Sequence, residues 1–185
     1  GTRTIGLDGV AAQEANYAKS GFVKTGSTAR FEGGVPVVVL PGLRPMMPQD
    51  MIAIATLDRL ANGYTRPCFL SGWLLRTETQ QSVVCEKDDQ ITGFATARLC
   101  NQGCKIGPVI APDQQTALAL MHSAAQALGA SDVIVDVPDL QQDFRQTLIA
   151  QGFELTFETA RMYRGQPPNP PAVQTLYGIA TMELG

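Results

Sequence analysis

The chain has 185 residues and a net charge of −3, with 14 Lys and Arg against 17 Asp and Glu, so it lacks the basic excess by which nucleic-acid binders neutralise phosphates. At 44% hydrophobic and 17% charged residues, with no apolar run near the roughly 18 residues of a membrane span, it reads as a soluble globular chain with a sizeable core and no membrane role. Four cysteines without a C-x-x-C pair and one histidine (His122) lack the usual zinc spacings; Cys100 and Cys104 could hold a metal or close a small disulfide, and the plainer reading, with no basic-then-apolar leader visible, is free thiols in a reducing cytoplasm.

Residues 3–7 read as a short strand and 10–20 as a helix, ended by Gly21 in a left-handed cap; 22–31 return as a strand that Glu32-Gly33-Gly34 breaks. The opening is therefore β-α-β. A second unit starts with a strand at the apolar run 35–40. Asp50 caps a helix with Ile54, Leu57 and Ala61 on one face, and Pro67 opens another with Phe69, Leu70, Leu74 and a core Trp73. Residues 82–86 and 91–99 form a hairpin around Lys87-Asp88-Asp89-Gln90, the second strand setting Ile91, Gly93, Ala95, Ala97 and Leu99 against Thr92, Phe94, Thr96 and Arg98 in a half-buried pattern.

Residues 104–111 form a strand in which Gly107-Pro108 removes a ladder donor, so pairing should lapse there. Asp113 caps a helix carrying Leu118, Met121, Ala125 and Leu128, and Val133, Val135 and Val137 alternate in the next strand. Pro138-Asp139 opens a helix with Leu140, Phe144 and Leu148, Gln142 standing where a capping box needs it. Residues 153–163 alternate cleanly, a stiff Pro-rich loop follows, and 176–184 read as a closing strand.

Two segments repeat. Residues 17–31 (YAKSGFVKTGSTARF) and 148–162 (LIAQGFELTFETARM) align without a gap 131 positions apart. They share Gly21-Phe22 with Gly152-Phe153, Thr25 with Thr156, and Thr28-Ala29-Arg30 with Thr159-Ala160-Arg161. Residues 1–33 thus repeat the last β-α-β of the unit 34–185.

The junction Tyr17-Ala-Lys-Ser-Gly21-Phe22 resembles the Y-E-K-L-G-F ending of the GNAT acyltransferases. Lys105-Ile-Gly-Pro-Val-Ile-Ala-Pro112, Val133-Ile-Val-Asp-Val-Pro138, and Gly152-Phe153 followed by Thr159-Ala-Arg-Met-Tyr-Arg-Gly165 resemble the C-terminal module of two-domain members. The resemblance implies the tail of a first unit at 1–33 and a complete unit at 34–185. It implies an α+β, three-layer fold: a mixed, mostly antiparallel sheet flanked by helices, whose fourth and fifth strands, here 104–111 and 132–137, splay apart. It further implies an N-acetyltransferase that uses acetyl-CoA or another acyl-CoA, needs no metal, and acylates an amine of a small molecule or peptide. The alternative is a degenerate module with a ligand-binding, regulatory or dimerisation role; residues 1–33 completing the sheet of another copy would give a homodimer.

The same resemblance assigns a site. Ile106, Gly107, Val109, Ile110 and Ala111 would bind the pantetheine arm, and Gln114, Gln115, Thr116 and Ala117 would receive the pyrophosphate at a helix N-terminus. Pro112-Asp113 replaces the family's glycine-rich turn there, and the Asp113 carboxylate would repel the anion. Tyr17 stands where the family carries the acid that protonates the leaving thiolate; Leu148, its counterpart, cannot donate a proton. Asp136, the one carboxylate in an apolar strand, is the candidate acceptor of the amine proton, or else a charge partner or helix cap. Arg161 and Tyr163 are candidate substrate residues, although Arg30 repeats Arg161 and suggests a structural brace.

Overall fold

Residues of period two become strands and those of period three to four become helices. The computed structural model describes residues 3–101 and 103–182. Strands β1 (Ile5–Val10), β2 (Val23–Gly34), β3 (Leu43–Pro45), β4 (Gln80–Lys87), β5 (Gln90–Leu99), β6 (Cys104–Ile110), β7 (Asp132–Pro138), β8 (Glu154–Arg164) and β9 (Leu176–Gly178) are interleaved with helices α1 (Glu14–Lys19), α2 (Met51–Asn62), α3 (Pro67–Trp73), α4 (Gln114–Ala127) and α5 (Gln142–Ala150). The strands form one sheet in the order β1-β8-β2-β7-β6-β5-β4-β3, with β9 beside β6. Among the described residues only β6 and β7 pair in parallel.

Successive residues of β4 and β5 point to opposite faces, which makes two cores. Val83, Cys85, Ala95 and Ala97 pack with Leu120 and Met121 of α4 and Phe144 and Leu148 of α5. Val84 and Phe94 pack on the other face with Ile54 of α2 and Leu70 of α3. The result is the three-layer arrangement, with β5 buried on both faces rather than half-buried.

Three local expectations fail for physical reasons. Residues 35–40 are not a strand: Pro36 and Pro41 offer no N–H to a ladder, Val37 and Val39 are 78% and 81% exposed, and pairing begins only at Leu43. Asp139 gives its carboxylate to the Ser27 backbone N–H (2.8 Å), so α5 starts later, at Gln142, without the capping box. The segment after residue 175 is a strand only over Leu176–Gly178, and residues 183–184 of the anticipated strand lie outside the described residues.

The sequence repeat has a geometric meaning. Thr28 of β2 faces Thr159 of β8, which is its own counterpart 131 positions on; Ser27 faces Ala160, and Ala29 faces Glu158. Ser27 thus faces the counterpart of Ala29, and Ala29 the counterpart of Ser27, a reciprocal exchange that is the signature of a two-fold axis through Thr28 and Thr159. The neighbours obey it: β1 lies against β8 with Asp8 opposite Arg161, and β7 against β2 with Asp136 opposite Arg30. Both helices end alike. Gly21 and Gly152 take φ of 83° and 88°, and the N–H groups of Phe22 and Phe153 donate to the carbonyls of Tyr17 (3.1 Å) and Leu148 (3.0 Å). The described part of this segment, residues 3–33, therefore adds neither a separate layer nor a free arm, because β2 sits between β7 and β8.

The place of a closing strand being taken, the chain after β8 goes elsewhere. β6 and β7 pair from Cys104–Val133 as far as Ile106–Val135, then diverge at Gly107-Pro108. Into this wedge runs the segment 176–182. β9 pairs with β6 through Val109–Gly178 and Ile110–Leu176, while the Ile179 N–H donates to the Asp136 carbonyl of β7 (2.9 Å). Leu176, Ile179 and Met182 are buried in the α2/α3 core. Gly107 is required by this approach, since a Cβ there would stand 2.1 Å from the Ile179 carbonyl oxygen and 2.9 Å from that of Ala180. Gly107→Ala is expected to cost about 1–3 kcal/mol of stability in urea unfolding and to speed amide exchange of Ile179; an unchanged midpoint and unchanged exchange would contradict the packing.

Candidate functional site

The wedge between β6 and β7 is where the sequence places a thioester arm. The strands do splay, but the backbone of β6 is already engaged. Val109 and Ile110 pair with β9, the Ala111 N–H donates to the Thr175 carbonyl (3.0 Å), and the Gly107 carbonyl accepts from Trp73 Nε1 (2.8 Å). Ile106 lies between Ala97 of β5 and Val135 of β7. All five residues assigned to the arm are fully covered.

The first turn of α4 is similarly committed. Asp113 Oδ1 accepts the Thr116 N–H (2.7 Å), Thr116 and Ala117 are buried, Gln114 is half-buried, and Gln115 reaches solvent. Tyr177 of the tail packs edge-to-face on Phe144 with ring centroids 5.0 Å apart. Burial pushes its hydroxyl pKa up, and the negative charge of Asp113 adds to the shift. The residues present do not fit a pantetheine arm with a pyrophosphate in this wedge.

Asp136 is fully buried under the tail. Its carboxylate accepts from Arg30 Nε (2.8 Å) and Nη2 (3.1 Å), from Lys105 Nζ (2.7 Å), and from the Met182 N–H (3.2 Å). Burial alone would raise this carboxyl, but Arg30 and Lys105 outweigh it and hold it below the usual range. The two-fold counterpart is Asp8, which receives Arg161 Nη1 and the hydroxyls of Thr28 (3.2 Å) and Thr159 (3.4 Å). With one cation instead of two, burial dominates and the Asp8 carboxyl is raised.

Arg161 also donates from Nε and Nη2 to the Tyr163 hydroxyl oxygen, at 3.0 and 2.9 Å. These two assigned substrate residues are together, on the wall of a cavity of about 350 Å³ that also touches Tyr64 and Asn169. Tyr17 is apart from Asp136: it stands on α1 with its ring against Gly9 of β1, whereas Asp136 is on β7, across β8 and β2. The structure does not bring this pair together.

Four residues with a part in the site were not assigned to it from the sequence, Trp73 having been read as core. Lys105 and Asp8 complete the two buried ion-pair centres, and a cleft of about 1140 Å³ on the α3 side is lined by Trp73 and Arg98. A lysine inside an apolar strand and an arginine in step with Thr92, Phe94 and Thr96 were the available signals. Trp73 is only half-buried, because its ring walls this cleft instead of filling the core.

A family model described as Acetyltransferase (GNAT) domain matches residues 54–178. The chain is 32% identical to holothin acyltransferase of Pseudoalteromonas sp. (strain SANK 73390) over 186 residues, covering 99% of this chain and 63% of that protein. A Pyrococcus horikoshii protein provisionally classed as an acetyltransferase has the same fold, with a TM-score of 0.77 and 24% identity over 98% of this chain and 60% of that one. A GCN5-related N-acetyltransferase from Sphaerobacter thermophilus superposes with a TM-score of 0.59 and 13% identity, covering 97% of this chain and 62% of its own. The chain thus spans less than two thirds of the length of each of these relatives. Among the described residues no helix is long and apolar enough to cross a membrane, and no group of side chains could hold a metal ion. With its splayed β6 and β7 in a three-layer fold and the family model matched over most of its length, the chain belongs to the acetyltransferase (GNAT) domain family.

Proposed function

We propose that this chain is the C-terminal part of a two-unit acyltransferase that moves an acetyl or other acyl group from acyl-CoA to an amine of a small molecule or peptide. In this reading residues 34–185 are the supporting unit, closed by its own tail, and transfer takes place along β1. The observation that carries it is the two-fold axis through Thr28 and Thr159, which makes β1 the counterpart of β7 and α1 that of α5. A strand running parallel to β1 on its outer edge would complete a second wedge, and no described residue pairs there. The chain after β2 leads to β3 at the far end of the sheet, so it does not return into that second wedge as the tail returns into the first. More than a third of each relative named above lies outside the matched part, enough for the missing strand.

Magnitudes favour this assignment. Burial of Leu176, Ile179 and Met182 stabilises the tail by about 1.5–3 kcal/mol each, and a micromolar ligand gains about 8 kcal/mol in all. An acyl-CoA entering between β6 and β7 would forfeit most of its binding energy to displacing the tail. Acyl-CoA supplies the activated thioester; of this chain's own residues, Tyr17 hands a proton from its hydroxyl to the departing sulfur. Asp136 and Asp8 serve as charge braces, not as bases. Arg161 and Tyr163 flank the transferring half, and the free cysteines Cys68, Cys85, Cys100 and Cys104 support a reducing, cytoplasmic setting.

The 185-residue chain alone is expected to show no calorimetric binding of acetyl-CoA up to millimolar ligand, and a longer protein carrying the preceding segment to bind it at micromolar concentration. Micromolar binding by the short chain would return the cofactor to the β6/β7 wedge. In the longer protein Tyr17→Phe should lower kcat about 100-fold with little change in KM. Holothin, the acceptor named for the Pseudoalteromonas relative, is the first to try, and unchanged turnover removes Tyr17 as the acid.

The brace roles have their own test. Asp136 is held below its unfolded value, so its ionisation stabilises the fold above about pH 4 and that contribution is lost on acidification. Asp8 is raised, so its contribution is full below the unfolded value and is lost as the pH rises through the folded one. Asp136→Asn is therefore expected to cost about 3 kcal/mol at neutral pH and less in acid, whereas the cost of Asp8→Asn shrinks from about pH 4 to pH 7. Urea unfolding at both pH values checks the opposite slopes; parallel slopes would refute the assignment.

A further inference from the structure

We propose that the cleft beside Trp73 binds an organic carboxylate through the guanidinium of Arg98. The cleft, about 1140 Å³, opens on the α3 side of the sheet over the ends of β5, β6 and β7. Its wall carries one end of a four-membered stack. Arg98 lies 4.7 Å over the Trp73 ring, Trp73 stacks on Phe69 with centroids 5.0 Å apart and an interplanar angle of 26°, and Arg66 lies 4.4 Å over Phe69.

The two ends of the stack differ. Arg66 is held bidentately by the fully buried Asp58, at 2.8 and 2.7 Å. Arg98 has no carboxylate partner among the described residues, and its Nε, closed off from solvent, has no hydrogen-bond partner at all. A guanidinium cannot shed its charge, and the indole face leaves the charge of a half-buried one only partly compensated until an anion comes to it. Stacking on the indole fixes the plane of the fork, so little side-chain entropy is lost when the anion arrives.

The choice of anion follows from the surroundings. Arg30 and Lys105, also on the cleft wall, share Asp136 and add positive field without offering a second free fork. The cleft carboxylates Glu32 and Asp132 accept from the hydroxyls of Thr156 and Ser131, both at 2.7 Å. One planar fork without a cluster of uncommitted cations suits a flat, singly charged carboxylate better than a tetrahedral, doubly charged phosphate. This binding site is independent of where acyl-CoA sits.

Trp73 is the only tryptophan in the chain, so its fluorescence reports on the stack alone. Titrating the full chain with succinate at constant ionic strength is expected to give a saturable change in emission, and the neutral succinamide none. Arg98→Gln should weaken succinate binding at least tenfold, and Arg98→Lys, which keeps the charge but not the fork, several-fold. Circular dichroism identifies any variant that fails to fold, in which case the other variant and the succinamide comparison carry the test. A linear response, an equal response to succinamide, or undiminished binding by a folded Arg98 variant would overturn the site. Tighter binding of inorganic phosphate than of succinate would overturn the carboxylate class.

Discussion

The antiparallel pairing of β2 with β8 about Thr28 and Thr159 is the contact on which the rest of this architecture depends. It inserts an N-terminal strand between β7 and β8, and it thereby sets two Asp–Arg pairs symmetrically on one face of the sheet. A duplicated sequence self-associates in this way for a simple reason. A strand that fits the edge of its own unit also fits the edge of a copy, because the side-chain alternation and the terminal carbonyls of the preceding helix are the same.

That exchange has a consequence for the wedge between β6 and β7. Once β2 occupies the position a closing strand would take, the chain after β8 has no free edge beside β7, and its apolar residues need another surface to cover. The open flank of β6 beyond Gly107 supplies both backbone partners and an apolar floor. The backbone groups that a thioester arm could use are thus the groups the tail uses. Buried donors and acceptors must be satisfied, and an intramolecular partner at high effective concentration is the first to arrive.

The buried charges show how position in the same motif can lead to different chemistry. Asp136 and Asp8 are related by the two-fold axis, yet Lys105 stands beside only the first. One added cation turns a carboxyl pushed up by burial into one held down by its neighbours. Asp136 also receives the tail's Met182 N–H, which ties the closed wedge to the exchanged strand through a single carboxylate.

Sequence alone determined the elements and much of their order, because these rest on local periods and caps: the alternation in residues 153–163, the Asp113 cap, the left-handed glycines after both repeated helices, and the lapse in pairing at Gly107-Pro108. It also disclosed the repeat and the family. It misjudged residues 35–40, where apolar character without N–H donors does not make a strand, and the capping role of Asp139, whose carboxylate is claimed by Ser27 from 112 residues away. Only the tertiary structure decided that β2 lies between β7 and β8, that the tail enters the wedge, that Asp136 is sealed by two cations, and that Arg98, stacked on Trp73, lines a cleft with no carboxylate partner among the described residues. Each of these is a choice among long-range partners of similar local fitness, and such choices are made by which edges and surfaces remain open once the whole sheet has assembled.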